Sequence, residues 1–128
     1  MYSGVLFVSP YLQDARSLAQ MLDDVSLPLV HASSLKDAAS KLEAGNFQVV
    51  LTEATLEDGT WLDVLRLARR TNTELVVTDP WADARFWAEA INMGAYDVLA
   101  QPFFDTEVRR VLASASSRRP PIKAHAAA

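Results

Sequence analysis

Five short apolar runs, separated by longer amphipathic stretches, constrain this chain more than any other feature. The runs are Gly4-Val5-Leu6-Phe7-Val8, Pro28-Leu29-Val30-His31-Ala32, Gln48-Val49-Val50-Leu51-Thr52, Glu74-Leu75-Val76-Val77-Thr78 and Tyr96-Asp97-Val98-Leu99. Between the first two, Leu12, Ala15, Leu18, Ala19 and Leu22 recur at helical spacing. Strands joined by connections this long run parallel, and the connecting helices cover the sheet. The near-continuous apolar character of the first, third and fourth runs marks strands buried on both faces. The expected fold is α/β: a doubly wound, five-stranded parallel sheet built from five βα units.

Local signals punctuate this pattern. Ser9-Pro10 reads as a cap followed by proline at the first helical position. Ser34 with Asp37 resembles a capping box that opens a helix ending near Gly45. An acidic loop, residues 53–59, follows the third strand, and its Asp58-Gly59 suits a turn that needs positive φ. Thr60 caps a helix whose inner face carries Leu62, Leu65 and Ala68. Ala82 to Met93 reads as the fourth helix, closed by Gly94, and Asp105 to about Ser116 as the last. Residues 1–117 are expected to form one domain, and residues 118–128, with Arg118-Arg119-Pro120-Pro121, a linker or disordered tail.

Composition removes several classes of function. The 128 residues include no cysteine, so disulfides, zinc–thiolate sites and thiol nucleophiles are excluded. The first 117 residues hold all 16 acidic side chains but 9 of the 12 basic ones, and such a body does not attract nucleic acid. No apolar run approaches a membrane span, and the start lacks the basic and apolar regions of a signal peptide. A cytoplasmic location is the simplest expectation. His31 and His125 have no second ligand at metal spacing, Ser9 and Ser34 have no triad partners, and no glycine-rich phosphate loop occurs. No metal, cofactor or enzymatic activity is expected.

In an open parallel sheet, ligands bind beyond the carboxyl ends of the strands. That rule brings Ser9, Pro10, Glu53, Thr78, Asp79 and Gln101 to one rim. Here a resemblance becomes specific. Val49 to Gly59, VVLTEATLEDG, resembles the phosphoacceptor strand and loop of bacterial response-regulator receiver domains. Met93 to Phe103, MGAYDVLAQPF, is similar to their fifth strand and Lys-Pro turn, and Val76-Val77-Thr78 to their fourth strand with its switch Thr/Ser. The resemblance spans about residues 4–116 and implies a flavodoxin-like sheet of strand order 2-1-3-4-5.

The resemblance also implies which rim residues should do chemistry, and most are replaced. Receivers carry two adjacent acids that hold Mg²⁺; Ser9-Pro10 stands there. The phosphoacceptor position holds Glu53 rather than Asp, the lysine position Gln101, and the switch-aromatic position Val98; Thr78 is retained. Mg²⁺ requires anchoring oxygen ligands, and phosphoryl transfer depends on neutralising the transferring oxygens. Without the acids and the lysine, both sources of positive charge are gone. A Glu at the acceptor position can place negative charge where a phosphoryl group would sit, with Thr78 donating a hydrogen bond to it. The plainer alternative is a rim carboxylate facing water. Asp79 has a similar pair of readings, a seat for a partner cation or an exposed loop acid beside Pro80.

The expected function is therefore a non-phosphorylatable receiver-like signalling domain acting by protein–protein interaction, in two-component signalling or transcriptional regulation. Its partner would be a histidine kinase, another regulator, an attached output domain or a second copy. Two alternatives stand beside it: a receiver that still accepts phosphoryl groups, and a flavodoxin-like small-molecule sensor whose rim Pro10, Val98 and the tryptophans make less polar. A contact surface is expected around the fourth helix and fifth strand. Trp87, Ala90 and Ile91 can share a core-facing side, Phe86 lies one turn from Ala90, and Trp81 precedes the helix; not all three aromatics can point inward. Tyr96, Asp97, Arg109 and Arg110 complete that surface, the arginines pairing with Asp97, with a second subunit, or with solvent.

Overall fold

Val5, Leu6, Phe7 and Val8 are all fully buried, which requires cover on both faces of their strand. The computed structural model, which describes residues 3–118, supplies that cover. Strand β1 (Ser3–Val8) leads into α1 (Leu12–Met21), a short 3-10 turn (Asp23–Val25), β2 (Leu29–Ala32), α2 (Leu35–Ala44) and β3 (Asn46–Glu53). A small hairpin, β4 (Thr55–Leu56) and β5 (Gly59–Thr60), precedes α3 (Trp61–Arg70). Then come β6 (Glu74–Asp79), α4 (Ala84–Met93), β7 (Asp97–Ala100) and α5 (Asp105–Arg118). The main sheet is parallel, in the order β2-β1-β3-β6-β7. With the hairpin set aside, this is the expected order 2-1-3-4-5.

Side-chain alternation divides the core in two. Val5, Phe7, Val49 and Leu51 face α1 and α5, where they meet Leu18, Leu22, Val108 and Leu112. Leu6, Val8 and Val50 face α2, α3 and α4, where they meet Leu42, Val64, Leu65 and Ala90. A bulge corrects the alternation at one place. Gly4 pairs with Phe47 but Val5 with Val49, so Gln48 is an extra residue on β3. Its side-chain oxygen accepts the Gly4 N–H at 2.7 Å. Phe47 thereby turns to the face opposite Val49 and Leu51.

The helix starts show where local rules hold and where they yield. Ser34 accepts the Asp37 N–H at 3.0 Å as expected, but Asp37 returns a bond to the Ser33 N–H rather than to Ser34. Burial pushes the Asp37 carboxyl up, and the Lys41 ammonium and Ser33 N–H together outweigh it, so its pKa falls below the usual value. Thr60 and Asp63 form the capping box of α3. Ser9-Pro10 does not start α1. That helix begins at Leu12 behind Tyr11, whose backbone is extended at φ −103°, ψ 101°, and the Ser9 oxygen accepts the Tyr11 N–H at 3.1 Å outside the helix. Likewise α4 starts at Ala84, two residues later than expected, because Asp83 accepts the Phe86 N–H at 2.8 Å. It ends at Gly94, whose φ of 116° only glycine adopts without strain.

The acidic loop is the larger surprise. It folds as the β4–β5 hairpin, and Asp58 at its tip accepts the Leu35 and Lys36 N–H groups at 2.9 and 3.0 Å, capping α2 from outside. Those two bonds hold the Asp58 carboxyl below its ordinary pKa. Gly59 is not there for positive φ. A Cβ at Gly59 would lie 2.6 Å from Leu35 Cδ2 and 2.7 Å from Asp63 Oδ2. Helix α5 runs through Arg118, one residue into the expected linker; the rest of that segment, with His125, lies outside the described residues. Among the described residues no helix is long and apolar enough to cross a membrane.

Candidate functional site

The register of the sheet assembles the rim. Val8 is opposite Thr52, Glu53 opposite Thr78, and Thr78 opposite Leu99. Ser9, Glu53 and Thr78 therefore arrive side by side, and Gln101 joins them from the turn after β7, where its bond to Pro102 is cis. Four of the six expected rim residues interact directly. The other two are Pro10, exposed in the loop after β1, and Asp79, which accepts the Trp81 N–H at 2.9 Å and shapes the loop after β6.

Glu53 is the centre of the cluster and is 7% exposed. The Ser9 hydroxyl donates to its Oε2 at 3.2 Å, and the Gln101 amide donates to its Oε1 at 3.1 Å. The second Gln101 amide bond runs to Thr78 Oγ1 at 3.2 Å. Thr78 spends its own proton on the Leu99 carbonyl at 2.7 Å, so it does not donate to Glu53 as expected. Nor does Glu53 face water. The Ser9 oxygen also accepts the Tyr11 N–H at 3.1 Å, and the Ser9 carbonyl accepts from His31 Nε2 at 2.6 Å. A carbonyl cannot donate, so His31 carries its proton on Nε2 there.

The electrostatics are one-sided. Burial pushes the Glu53 carboxyl above its ordinary pKa; the Gln101 and Ser9 bonds pull it back, while Asp14 and Asp79 push it further up. Among the described residues no ion pair reaches Glu53, Asp14 or Asp79. No group of three or more acidic or histidine side chains among the described residues is placed to hold a metal ion. Asp14, on the first turn of α1, was missed from sequence; its position one helical turn past the β1 loop was the available signal.

The expected contact surface is only partly assembled. Trp87, 48% exposed, donates its indole N–H to Asp97 at 3.1 Å, so it faces outward rather than into the core. Phe86 takes the inward place instead, edge-on to Trp61 with ring centres 6.1 Å apart. Tyr96 shares a hydrogen bond with Ser114 at 2.5 Å across β7 and α5. Arg109 pairs with Asp105 at 3.5 Å and not with Asp97, and Arg110 is exposed. Val98 is half-buried against the α2–α3–α4 core. Trp81, 85% exposed, stands apart from these, beside the rim. Sequence reasoning missed Tyr11, Leu12 and Phe104, which are also exposed at the carboxyl end of the sheet.

No protein-family model matches the chain. It is 29% identical over 102 residues to the swarming motility regulation protein RssB of Serratia marcescens, a match covering 78% of this chain. The chain spans 47% of that protein's length. Among solved structures, the beryllofluoride-activated NtrC4 receiver domain dimer aligns with a TM-score of 0.82 at 20% identity, over 94% of this chain and all of that one. The signal receiver domain of an HD domain-containing protein from Pseudomonas fluorescens aligns at 0.78 and 24% identity, over 93% and 98% of the two chains. The chemotaxis response regulator CheY4 of Vibrio cholerae aligns at 0.77 and 18% identity, over 90% and 98%. At these identities the likeness establishes the fold, a flavodoxin-like receiver fold.

Proposed function

We propose that this chain is a receiver-like domain of the response-regulator kind that takes no phosphoryl group and works by contact with another protein. The observation that carries this reading is the closed network at the rim. Both oxygens of Glu53 are engaged by neutral donors from Ser9 and Gln101. Thr78 is committed to the Leu99 carbonyl. A phosphoryl acceptor needs a free carboxylate oxygen, a cation on the transferring oxygens and a free hydroxyl or amine beside them. None of the three is met by this arrangement.

Magnesium, which the fold family implies, does not fit either. Its anchoring acids are replaced by Ser9 and by Pro10, which offers only a carbonyl, and Glu53 already has both oxygens in hydrogen bonds. What remains is a rigid sheet with a fixed charge at Glu53, a scaffold rather than an enzyme, and this reading places it in the cytoplasm. The partner is a protein: a kinase, another regulator, an attached output domain or a second copy. The relative named for swarming motility regulation supports a signalling role.

The test is incubation with acetyl phosphate, and separately with beryllofluoride, each with Mg²⁺. Intact mass is expected to stay unchanged, and so is the tryptophan fluorescence. A phosphoryl mass gain, or a Mg²⁺-dependent fluorescence change, overturns the reading in favour of a working receiver.

A further inference from the structure

Large apolar side chains stand in water where a charged site would be expected to stand alone. Tyr11, Leu12, Trp81 and Phe104 are 60%, 53%, 85% and 66% exposed. They come from three loops or helix starts, after β1, β6 and β7, all at the carboxyl end of the sheet. Trp81 and Phe104 each adjoin a residue that lines a groove between α1 and the turn after β7. Asp14, Met21, Pro80, Gln101, Pro102 and Phe103 are among those that line it. Exposed apolar side chains of this size at one end of a sheet, flanking a groove, mark contact surfaces, and tryptophan and tyrosine supply much of the binding energy at such surfaces.

The charge of the rim says what covers it. Asp14 lines the groove, Asp79 precedes Pro80, which lines it too, and among the described residues no ion pair reaches Asp14, Asp79 or Glu53. Lipid headgroups of anionic membranes and nucleic acid phosphates are repelled by such a surface. A second copy docked rim to rim would bring the same carboxylates face to face. A cationic side chain set among apolar ones meets both properties at once. Its charge is met by the carboxylates, and exposed indole and phenyl faces attract it further, by about 0.5–1 kcal/mol per contact.

We propose that this rim is a docking surface for a partner-protein segment that carries a lysine or arginine between apolar side chains. The cation seats against the Asp14 and Asp79 carboxylates, and its apolar neighbours lie on Trp81 and Phe104. The partner thus supplies in trans the positive charge that Gln101 does not. The proposal deepens the interaction reading above and rests on it.

The experiment is selection of a displayed random-peptide library on the full chain, followed by binding measurements with the synthesised consensus peptide. The selected sequences are expected to hold Lys or Arg flanked by apolar residues. Their affinity should fall about tenfold or more in Trp81→Ala/Phe104→Ser, as for a central anchor pair. Asp14→Asn/Asp79→Asn should weaken binding and flatten its salt dependence. Met93→Ser and Glu43→Gln, an exposed apolar residue and an exposed acid away from the rim, should leave it unchanged. Trp81, Phe104 and the carboxylates are surface groups, and an unchanged circular dichroism spectrum and Tm verify the fold of each variant. A consensus without a cation, binding insensitive to the rim variants, or no enrichment over the bare support overturns the proposal. The two failures are separable: beryllofluoride uptake overturns the phosphoryl-silent reading, whereas peptides that bind away from the rim overturn the docking surface alone.

Discussion

Glu53 carries a negative charge into a place where only neutral dipoles meet it. Two hydrogen bonds compensate part of the lost hydration, and two nearby acids add to the cost. The result is a folded-state pKa raised above the ordinary 4.5. Between the two values the folded chain binds a proton that the unfolded chain does not, so stability falls as pH rises through the folded pKa and is fully recovered only below the unfolded one. Glu53→Gln removes the charge and can keep both bonds, since its amide can donate to Ser9 and accept from Gln101. The variant is expected to melt a few degrees above the parent at pH 7, and the gap should close as pH falls toward 4.5, read by thermal melts across that range. A gap independent of pH would refute the buried-charge account. The rim positions were legible because each ends an apolar run. The burial of Glu53 and the commitment of Thr78 to Leu99 were not, because three neighbouring strands decide where those side chains point.

At the scale of elements, caps do much of the positioning. Thr60→Ala removes one bond of the α3 capping box and is expected to cost about 1 kcal/mol in urea unfolding. Asp58→Ala strips the external cap from α2 and should lower Tm. The depressed pKa of Asp58 makes its contribution present above the unfolded value and lost as pH falls through the folded one, so this variant should match the parent in strong acid. Ser34 and Thr60 were readable as caps because their partners lie within one turn. The hairpin that holds Asp58 was not, since two-residue strands leave no periodicity and the N–H groups it caps are over twenty residues away. The start of α1 was misread for the opposite reason: Ser9-Pro10 satisfies the local rule, and the Ser9 oxygen does accept the Tyr11 N–H, but Tyr11 itself stays extended and delays the helix to Leu12.

The described residues form two cores on one sheet, and that much was visible in the near-continuous apolar runs of the first, third and fourth strands. Leu18 on α1 and Leu42 on α2 sit in different cores, separated by the sheet. Leu18→Ala and Leu42→Ala are each expected to cost about 2–4 kcal/mol, and the double variant their sum to within about 0.5 kcal/mol. Chemical denaturation of the four proteins checks this, and strong coupling would mean that the sheet transmits packing changes from one face to the other.

The clamp over Glu53 has a consequence for ionic strength. An ion pair weakens as salt gathers around it, with a screening length of about 10 Å at 0.1 M. The Ser9 and Gln101 bonds join one charge, 7% exposed, to neutral dipoles. The rim should hold the same shape from dilute buffer to brine, while anything cationic that lands on it is shed. Salt thus separates what pH entangles: it loosens the guest and spares the seat.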